Sequence, residues 1–294
     1  MNFSTLFSTN LREILIKAFV VGLFTSVCAA ILGVPLVLKR YSMIGDGLSH
    51  MGFCALAIAA AMGISGQNTV FVTMPVIVIA AVFLLLLSDG GKIKGDAAIA
   101  MLSTGSVGAG YIIYCLAGKD AAEVCSSLFG SAILALDNAD LSLSVILACS
   151  VLLVFVLLFT KIFAITFDAV FARACGTNVT LYNVLLAVLT AVTIVVGMKM
   201  IGSIMISSLV VFPALTAMRL GKHFKKVILL AAIISASCFV IGLFVAATVE
   251  FRFGMTTVSF PIGPCVVGCN VIAFLIATLY NRIKEAHMTR KNKK

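Results

Sequence analysis

The feature that most constrains this chain is a series of nine long apolar segments separated by charged or turn residues. A membrane-spanning helix needs roughly 20 apolar residues in a row, and each segment is close to that length. The segments cover residues 14–38, 44–63, 70–88, 97–117, 141–160, 180–198, 201–218, 227–249 and 262–280. Because the apolar runs are continuous rather than alternating, they do not fit an outer-membrane barrel. The sequence therefore predicts an all-α integral membrane protein, a polytopic bundle of about 8–9 transmembrane helices.

Composition excludes several classes of function. The 294 residues are 62% hydrophobic and 11% charged, whereas soluble domains average roughly 45–50% apolar and about 25% charged residues. An ordinary cytosolic enzyme, a disordered chain and a nucleic-acid-binding domain are all incompatible with these values. We expect one transmembrane domain, 1–294, with a short N-terminal segment, 1–13, and a basic tail, 281–294. The sequence contains no GxxxxGK[ST] phosphate-binding loop, so ATP hydrolysis would belong to a separate chain.

The distribution of Lys and Arg predicts the orientation. If the loops after segments one, three, five and seven and the C-terminal tail face the cytoplasm, that side holds 16 of the 21 basic residues. Cytoplasmic loops of membrane proteins are enriched in Lys and Arg. The tail, 281–294, is therefore predicted to be cytoplasmic, and the segments 118–140 and 250–261 are predicted to face the outside.

The clearest chemistry lies in the stretch KRYSMIGDGLSHMGF, residues 39–53. Asp46 and His50 are four residues apart and so share one face of the second predicted span. A carboxylate within a span is costly and usually faces a partner or a cavity. Carboxylate oxygen and imidazole nitrogen suit Mn²⁺, Zn²⁺ or Fe²⁺, and two symmetric chains would supply four ligands. The alternatives are that Asp46 is a helix N-cap and that His50 bonds to a neighbouring helix.

Several blocks, in order along the chain, carry a resemblance to a known family. GDGLSH follows a basic pair after the first apolar span, ITFDAVFARACG covers 165–176, and VGMKMIGSIMISSLVVFPALTAMRL covers 196–220. A weaker block, LFGSAILAL, covers 128–136. Together they make nearly the whole chain similar to the zinc/manganese permease family of ABC transporters.

This resemblance implies an assembly. Two permease copies would form a homodimer in the lipid bilayer of a prokaryotic cytoplasmic (inner) membrane. Two cytoplasmic ATP-binding subunits would hydrolyse ATP, and an extracytoplasmic metal-binding protein would deliver the ion. No cofactor would be permanently bound, because manganese, zinc or iron would be the cargo, and no nucleic acid would be involved.

The resemblance also assigns a segment to ATPase coupling. Many members of the family read FDEEFARAxG where this chain has FDAVFARACG, so the matching residues here are Phe167, Asp168, Phe171, Arg173 and Gly176. The aromatic side chains and the arginine would suit docking into a groove, whereas the plainer interpretation is a lipid-anchored connector. The two acidic residues of the family pattern are replaced by alanine and valine at 169 and 170, which alters the electrostatic part of the docking.

The expected function is therefore an importer permease for a divalent transition metal that works by alternating access. Asp46 and His50 of two chains would bind the ion transiently. One alternative is a permease for a metal chelate such as an iron–siderophore complex, which would need a wide cavity and no direct ligand. The other is an ion-coupled secondary metal transporter, for which the sequence shows no convincing inverted repeat.

Overall fold

The computed structural model describes residues 9–41, 43–64, 68–89, 95–118, 138–248, 250–253, 256–259 and 261–291. The block LFGSAILAL at 128–136 and most of the 118–140 segment lie outside these ranges. The described helices are α1 (Thr9–Leu38), α2 (Ile44–Ala61), α3 (Thr69–Asp89), α4 (Gly95–Leu116), α5 (Asn138–Leu157), α6 (Phe159–Phe167), α7 (Ala169–Ala174), α8 (Val179–Ile201), α9 (Ser203–Leu220), α10 (Phe224–Thr248) and α11 (Ile262–Lys291).

The helical membrane fold predicted from the sequence is confirmed. Within the described residues, seven helices are long and apolar enough to cross a membrane, and α5 with α6 makes an eighth if the bent pair counts as one span. The helix α3 is apolar from Thr69 to Leu84, and its sequence remains apolar through Leu87. Every apolar segment identified in the sequence coincides with a helix, because segments of this length satisfy all their backbone groups only as helices.

Two local features differ from the sequence-based expectation. The predicted span 141–160 is broken: α5 ends at Leu157, α6 begins at Phe159, and their axes differ by 67°. In addition, β1 (Glu250–Phe253) and β2 (Thr256–Ser259) form an antiparallel hairpin between α10 and α11. Aromatic and β-branched residues favour strands, and FRF and TTVS carry that composition within the predicted loop 250–261.

Only Gly202 separates α8 from α9. Its φ of 93° is a backbone conformation that glycine adopts without steric cost. The backbone on either side of this glycine is helical. The apolar segments 180–198 and 201–218 therefore form two separate helices, each long and apolar enough to cross a membrane.

The first helix is the most buried of the candidate spans. In its apolar window 67% of the residues are buried, against 22% for α4 and 22% for α11. Ala18, Val21, Ala29 and Ala30 of α1 are fully buried, and α1 packs against α5, α8, α9 and α10. Small side chains allow this close packing of helices in lipid, so four other spans pack directly on α1.

The helices α9 and α11 run side by side in the same direction. Near their first residues, Met205 and Pro264 line one cavity. Farther along, the rings of Phe212 and Phe274 are 6.2 Å apart, and at the far end Asn281 Nδ2 donates to the carbonyl oxygen of Arg219 at 2.5 Å. The last turn of α9 and the helical continuation into the basic tail therefore lie at the same end of the molecule.

Candidate metal site and coupling segment

The position of Asp46 in α2 separates the two interpretations of this carboxylate. The helix begins at Ile44, its N-cap residue is Met43, and no side chain caps it. Asp46 is the third helical residue, and its backbone oxygen accepts a hydrogen bond from Ser49 Oγ at 2.8 Å. The structure does not support the N-cap interpretation, because an N-cap side chain precedes the first helical residue.

Asp46 and His50 bring two possible ligand atoms together. His50 Nε2 lies 3.5 Å from Asp46 Oδ1, and the side chains are 22% and 43% exposed, respectively. This separation is longer than a normal N–H···O hydrogen bond of about 2.7–3.2 Å. Two ligands bound to one tetrahedral metal at about 2.1 Å lie about 3.4 Å apart. The pair therefore has the spacing of two ligands that share one ion.

The other ring nitrogen of His50 points into the protein. Within the described residues, His50 Nδ1 is buried and has no hydrogen-bond partner. No neighbouring helix therefore accepts or donates at this atom, so the structure gives no support to the interpretation of His50 as a helix-bonding residue. The available nitrogen of the imidazole is the one on the Asp46 side.

Two glycines fix the direction in which this face of α2 points. A Cβ atom at Gly47 would lie 2.7 Å from Ile99 Cγ2 of α4, and a Cβ atom at Gly45 would lie 3.3 Å from Val210 Cγ1 of α9. Successive helical residues are about 100° apart around the axis. Asp46, between the two glycines, therefore faces the gap between α4 and α9.

The pair is incomplete as a metal site within one chain. In the part of the chain that the structure describes, no group of three or more His, Cys, Asp or Glu side chains is arranged to hold a metal ion. Two ligands leave most positions around a divalent ion open, because such ions take four or more. Further ligands would have to come from outside the described chain.

The predicted coupling segment folds as two short helices, α6 and α7. Asp168 is the N-cap of α7, and its Oδ1 accepts from the backbone N–H of Phe171 at 2.8 Å. The segment ends at Gly176, whose φ of 77° lets the N–H of Thr177 reach the carbonyl oxygen of Ala172 at 2.9 Å. Asp168 and Gly176 therefore define the two ends of α7, the standard roles of an N-cap residue and of a left-handed C-terminal glycine.

The side chains of the coupling segment form an exposed apolar surface. Val170 is 80% exposed, Phe171 is 65% exposed, and Arg173 is also exposed. The opposite side of α7 is anchored, because Ala172 is buried against Ile165. The short helix thus presents an aromatic side chain and a cation to its surroundings, as its sequence predicts.

Phe167 has a second role that the sequence analysis did not predict. Its ring lies 4.9 Å from that of Phe163 and 5.5 Å from that of Phe224, the first residue of α10. We call these five rings, which contact one another in tilted and edge-to-face pairs, the aromatic cluster: Phe155, Phe159, Phe163, Phe167 and Phe224. A phenylalanine at every fourth position from 155 to 167 is the signal that predicts such a stripe on one helical side.

One contact joins the neighbourhood of the site to the coupling segment. Lys39 Nζ, just after α1, donates to Asn183 Oδ1 in the first turns of α8. The chain that leads from α1 into α2 is thereby tied to the helix that follows α7. The hydrogen bond therefore links the stretch 39–46, which leads to Asp46, with the stretch 176–183, which follows the coupling segment.

These features define a multi-pass membrane protein of the transporter permease class. The family comparison agrees: the model of the ABC 3 transport family matches residues 11–281. The chain belongs to this family, which confirms the resemblance to the metal permease family of ABC transporters noted in its sequence. It is a permease subunit and not an enzyme, and ATP hydrolysis belongs to separate subunits.

Individual relatives cover most of the chain. It is 28% identical to the manganese import system permease protein ScaB of Streptococcus gordonii, over 96% of this chain and 95% of that protein. It is 27% identical to the chelated iron transport system membrane protein YfeD of Yersinia pestis, over 91% of this chain and 86% of that protein. The solved structure of PsaBC from Streptococcus pneumoniae superposes with a TM-score of 0.77 at 24% identity, over 93% of each chain, which establishes the shared fold.

Proposed function

We propose that this chain is the permease of an importer for a divalent transition metal ion, manganese, zinc or ferrous iron. The observation that carries the proposal is the 3.5 Å separation between His50 Nε2 and Asp46 Oδ1. Oxygen and nitrogen ligands of this kind suit all three ions, so the pair supports the class of cargo and leaves the ion open. The relatives named for manganese import and for chelated iron transport support a metal cargo.

The proposed site is completed by a second copy of the chain. Each copy contributes one carboxylate and one imidazole, and the two carboxylates neutralise the charge of one divalent ion. Asp46 is 43% exposed in the single chain, so a ligand from a partner has access to the same ion. A closed four-ligand shell would hold the ion tightly, so transport requires that the two halves separate during the cycle.

The proposed cycle is alternating access. An extracytoplasmic metal-binding protein delivers the ion, and the pair binds it between two permease copies. Closure of two cytoplasmic ATP-binding subunits then moves the coupling segment, and the inner side opens. The bond from Lys39 to Asn183 supports a direct route between these events, because it ties the start of α8 to the connection between α1 and α2.

The proposed orientation places the coupling segment and the helical tail in the cytoplasm. Lys and Arg are concentrated at this end, as expected for cytoplasmic loops. Phe171 and Arg173 then face the ATP-binding subunits, while Asp168 and Gly176 act indirectly by defining the ends of α7. The alanine and valine that replace acidic residues at 169 and 170 make the docking more apolar than the family pattern.

A metal chelate is the second candidate cargo, favoured by the name of the relative from Yersinia pestis. A chelate brings its own ligands and needs no carboxylate or imidazole from the permease. The paired ligand atoms of Asp46 and His50 therefore favour the free ion. An ion-coupled secondary transporter does not agree with membership of an ABC transporter family.

The test is uptake by the whole complex in proteoliposomes, with the metal-binding protein present. Radioactive manganese, zinc and ferrous iron are supplied as free ions, and radioactive ferric iron is supplied separately as a siderophore complex. We expect ATP-dependent uptake of at least one free ion and none of the siderophore complex. Uptake of the intact siderophore complex with no uptake of any free ion would contradict the proposal.

A further inference from the structure

A concentration of positive charge surrounds one end of α9, α10 and α11. We define the basic rim as six side chains, all exposed: Arg219, Lys222, Lys225, Lys226, Arg282 and Lys284. The hydrogen bond from Asn281 to the carbonyl of Arg219 holds the end of α9 beside α11. The six cations therefore belong to one surface although they are far apart in sequence.

No anion within the described chain neutralises the basic rim. Among the described side chains the acidic ones are Glu13, Asp46 and Asp168. Asp46 faces His50, and Asp168 caps α7. The sequence adds a single acidic residue, Glu285, next to these six cations. A surface with this excess of positive charge attracts anions.

The rim lies at the level where the spans end. Arg219 is the penultimate residue of the span Ser203–Leu220, and Lys225 is the second residue of the next span, Phe224–Thr248. Only three residues connect α9 to α10, so this connection stays close to the membrane surface. At that level the neighbouring molecules are phospholipid headgroups.

Exposed apolar side chains alternate with the cations. Leu220 follows Arg219, Ile283 lies between the two cations of α11, and Leu229 lies one turn beyond Lys225 and Lys226. Tyr280 is also exposed, one turn before Lys284. Cations mixed with aliphatic and tyrosine side chains are typical of a surface at the membrane interface, where the stems lie in lipid and the charges reach the headgroups.

We propose that the basic rim binds the phosphate groups of anionic phospholipids and that this binding supports coupling. The link is Lys225, whose Nζ lies 5.9 Å from the centre of the Phe159 ring in the aromatic cluster. The aromatic cluster also contains Phe167 of the coupling segment and Phe224 next to Lys225. Bound lipid phosphates would hold the start of α10 in place, and with it the rings of α6 that contact Phe224. This inference rests on the orientation given under the proposed function.

The test compares two lipid compositions. The complex with its ATP-binding subunits is reconstituted in phosphatidylcholine alone, or in three parts phosphatidylcholine to one part phosphatidylglycerol, and ATP turnover is measured. Because anionic headgroups attract basic residues near the membrane surface, we expect phosphatidylglycerol to raise turnover about twofold or more. The variant Lys222→Gln/Lys226→Gln should lose this increase. The control variant is Lys17→Gln, whose lysine lies near the start of α1 and faces the opposite side of the membrane in the proposed orientation. This control should retain the increase.

Three outcomes would overturn the inference. The first is equal turnover of the wild-type complex in both lipid mixtures. The second is the same stimulation when inorganic phosphate is added without phosphatidylglycerol, because the ligand would then be free phosphate. The third is loss of the ATP-binding subunits from Lys222→Gln/Lys226→Gln in phosphatidylcholine, because the rim would then be a protein interface. None of these readouts uses metal uptake, so failure of the metal proposal remains distinguishable.

Discussion

Two aspartates of this chain, Asp46 and Asp168, lie in sequence blocks that resemble the family, and their structural roles differ. Both lie at the beginning of a helix. Asp168 precedes the first residue of α7 and accepts a backbone hydrogen bond from Phe171. Asp46 lies inside α2, and its side chain ends beside an imidazole that is buried on its other side. A displacement of three residues relative to the helix start turns a capping group into a possible metal ligand.

The surroundings of the two aspartates also differ, because one lies on a closely packed helix and the other on an exposed segment. Asp46 is carried by a helix packed on both flanks, where Gly45 and Gly47 let α9 and α4 approach closely. Asp168 is carried by an exposed segment between two spans. Close packing keeps ligand atoms in place, whereas an exposed segment is accessible to a partner. The comparison therefore separates a site that must be rigid from a surface that must be reached.

The largest effect is expected from removal of the imidazole in His50→Leu. Loss of an outer-shell partner alone costs about 10–100-fold in metal affinity or activity, so loss of a ligand should lower metal uptake by about 100-fold or more. Radiometal uptake by proteoliposomes measures this effect. The matched control is His223→Leu, which removes an exposed histidine of the loop between α9 and α10. Equal losses in both variants would show that the effect is not specific to the site.

The aromatic cluster offers the next largest effect. Phe224 is 8% exposed, and replacement of a buried Phe by Ala costs about 3–5 kcal/mol. We expect Phe224→Ala to lower thermal stability and to uncouple ATP turnover from metal. Phe212→Ala is the control, because Phe212 forms a similar ring pair with Phe274 away from the coupling segment. If Phe212→Ala uncouples turnover to the same extent, general destabilisation explains the result and the cluster has no special role.

A smaller effect is expected where α2 meets α4. The methyl group of Gly47→Ala would overlap Ile99 Cγ2, and overpacking of this kind costs about 1–3 kcal/mol. We expect weaker metal binding in Gly47→Ala, measured as a raised KM for uptake. The double variant Gly47→Ala/Ile99→Ala removes the overlapping atom and should recover the wild-type KM. Gly108→Ala, where a Cβ atom meets no neighbour within 4 Å, should leave the KM unchanged; a raised KM there would argue against a steric cause.

The smallest effect is expected at the cap. Asp168→Ala should destabilise α7 by about 1 kcal/mol, whereas Asp168→Asn should be nearly neutral because Asn and Asp are equivalent N-caps. Binding of the ATP-binding subunits to the purified permease measures this difference. Equal weakening of binding by both variants would mean that the charge of Asp168 acts on the partner directly, beyond capping.

The sequence was sufficient for the features that depend on local pattern. Length and hydropathy predict the helices, and the four-residue spacing of Asp46 and His50 predicts that they are neighbours. Tertiary contacts were not accessible in this way. The contact of Phe224 with Phe167 joins elements separated by more than 50 residues, and the bend between α5 and α6 occurs in a uniformly apolar stretch. Such features depend on which helices become neighbours, and composition carries no information on that.

The most direct test of the central claim is metal uptake by Asp46→Asn beside Asp168→Asn in otherwise identical assembled complexes. Asparagine keeps the shape and the capping ability of aspartate but removes the negative charge that a divalent ion requires. We predict that Asp46→Asn abolishes uptake while the ATP-binding subunits remain bound, and that Asp168→Asn transports at a rate near wild type. Uptake by Asp46→Asn close to wild type would contradict the assignment of Asp46 as a metal ligand.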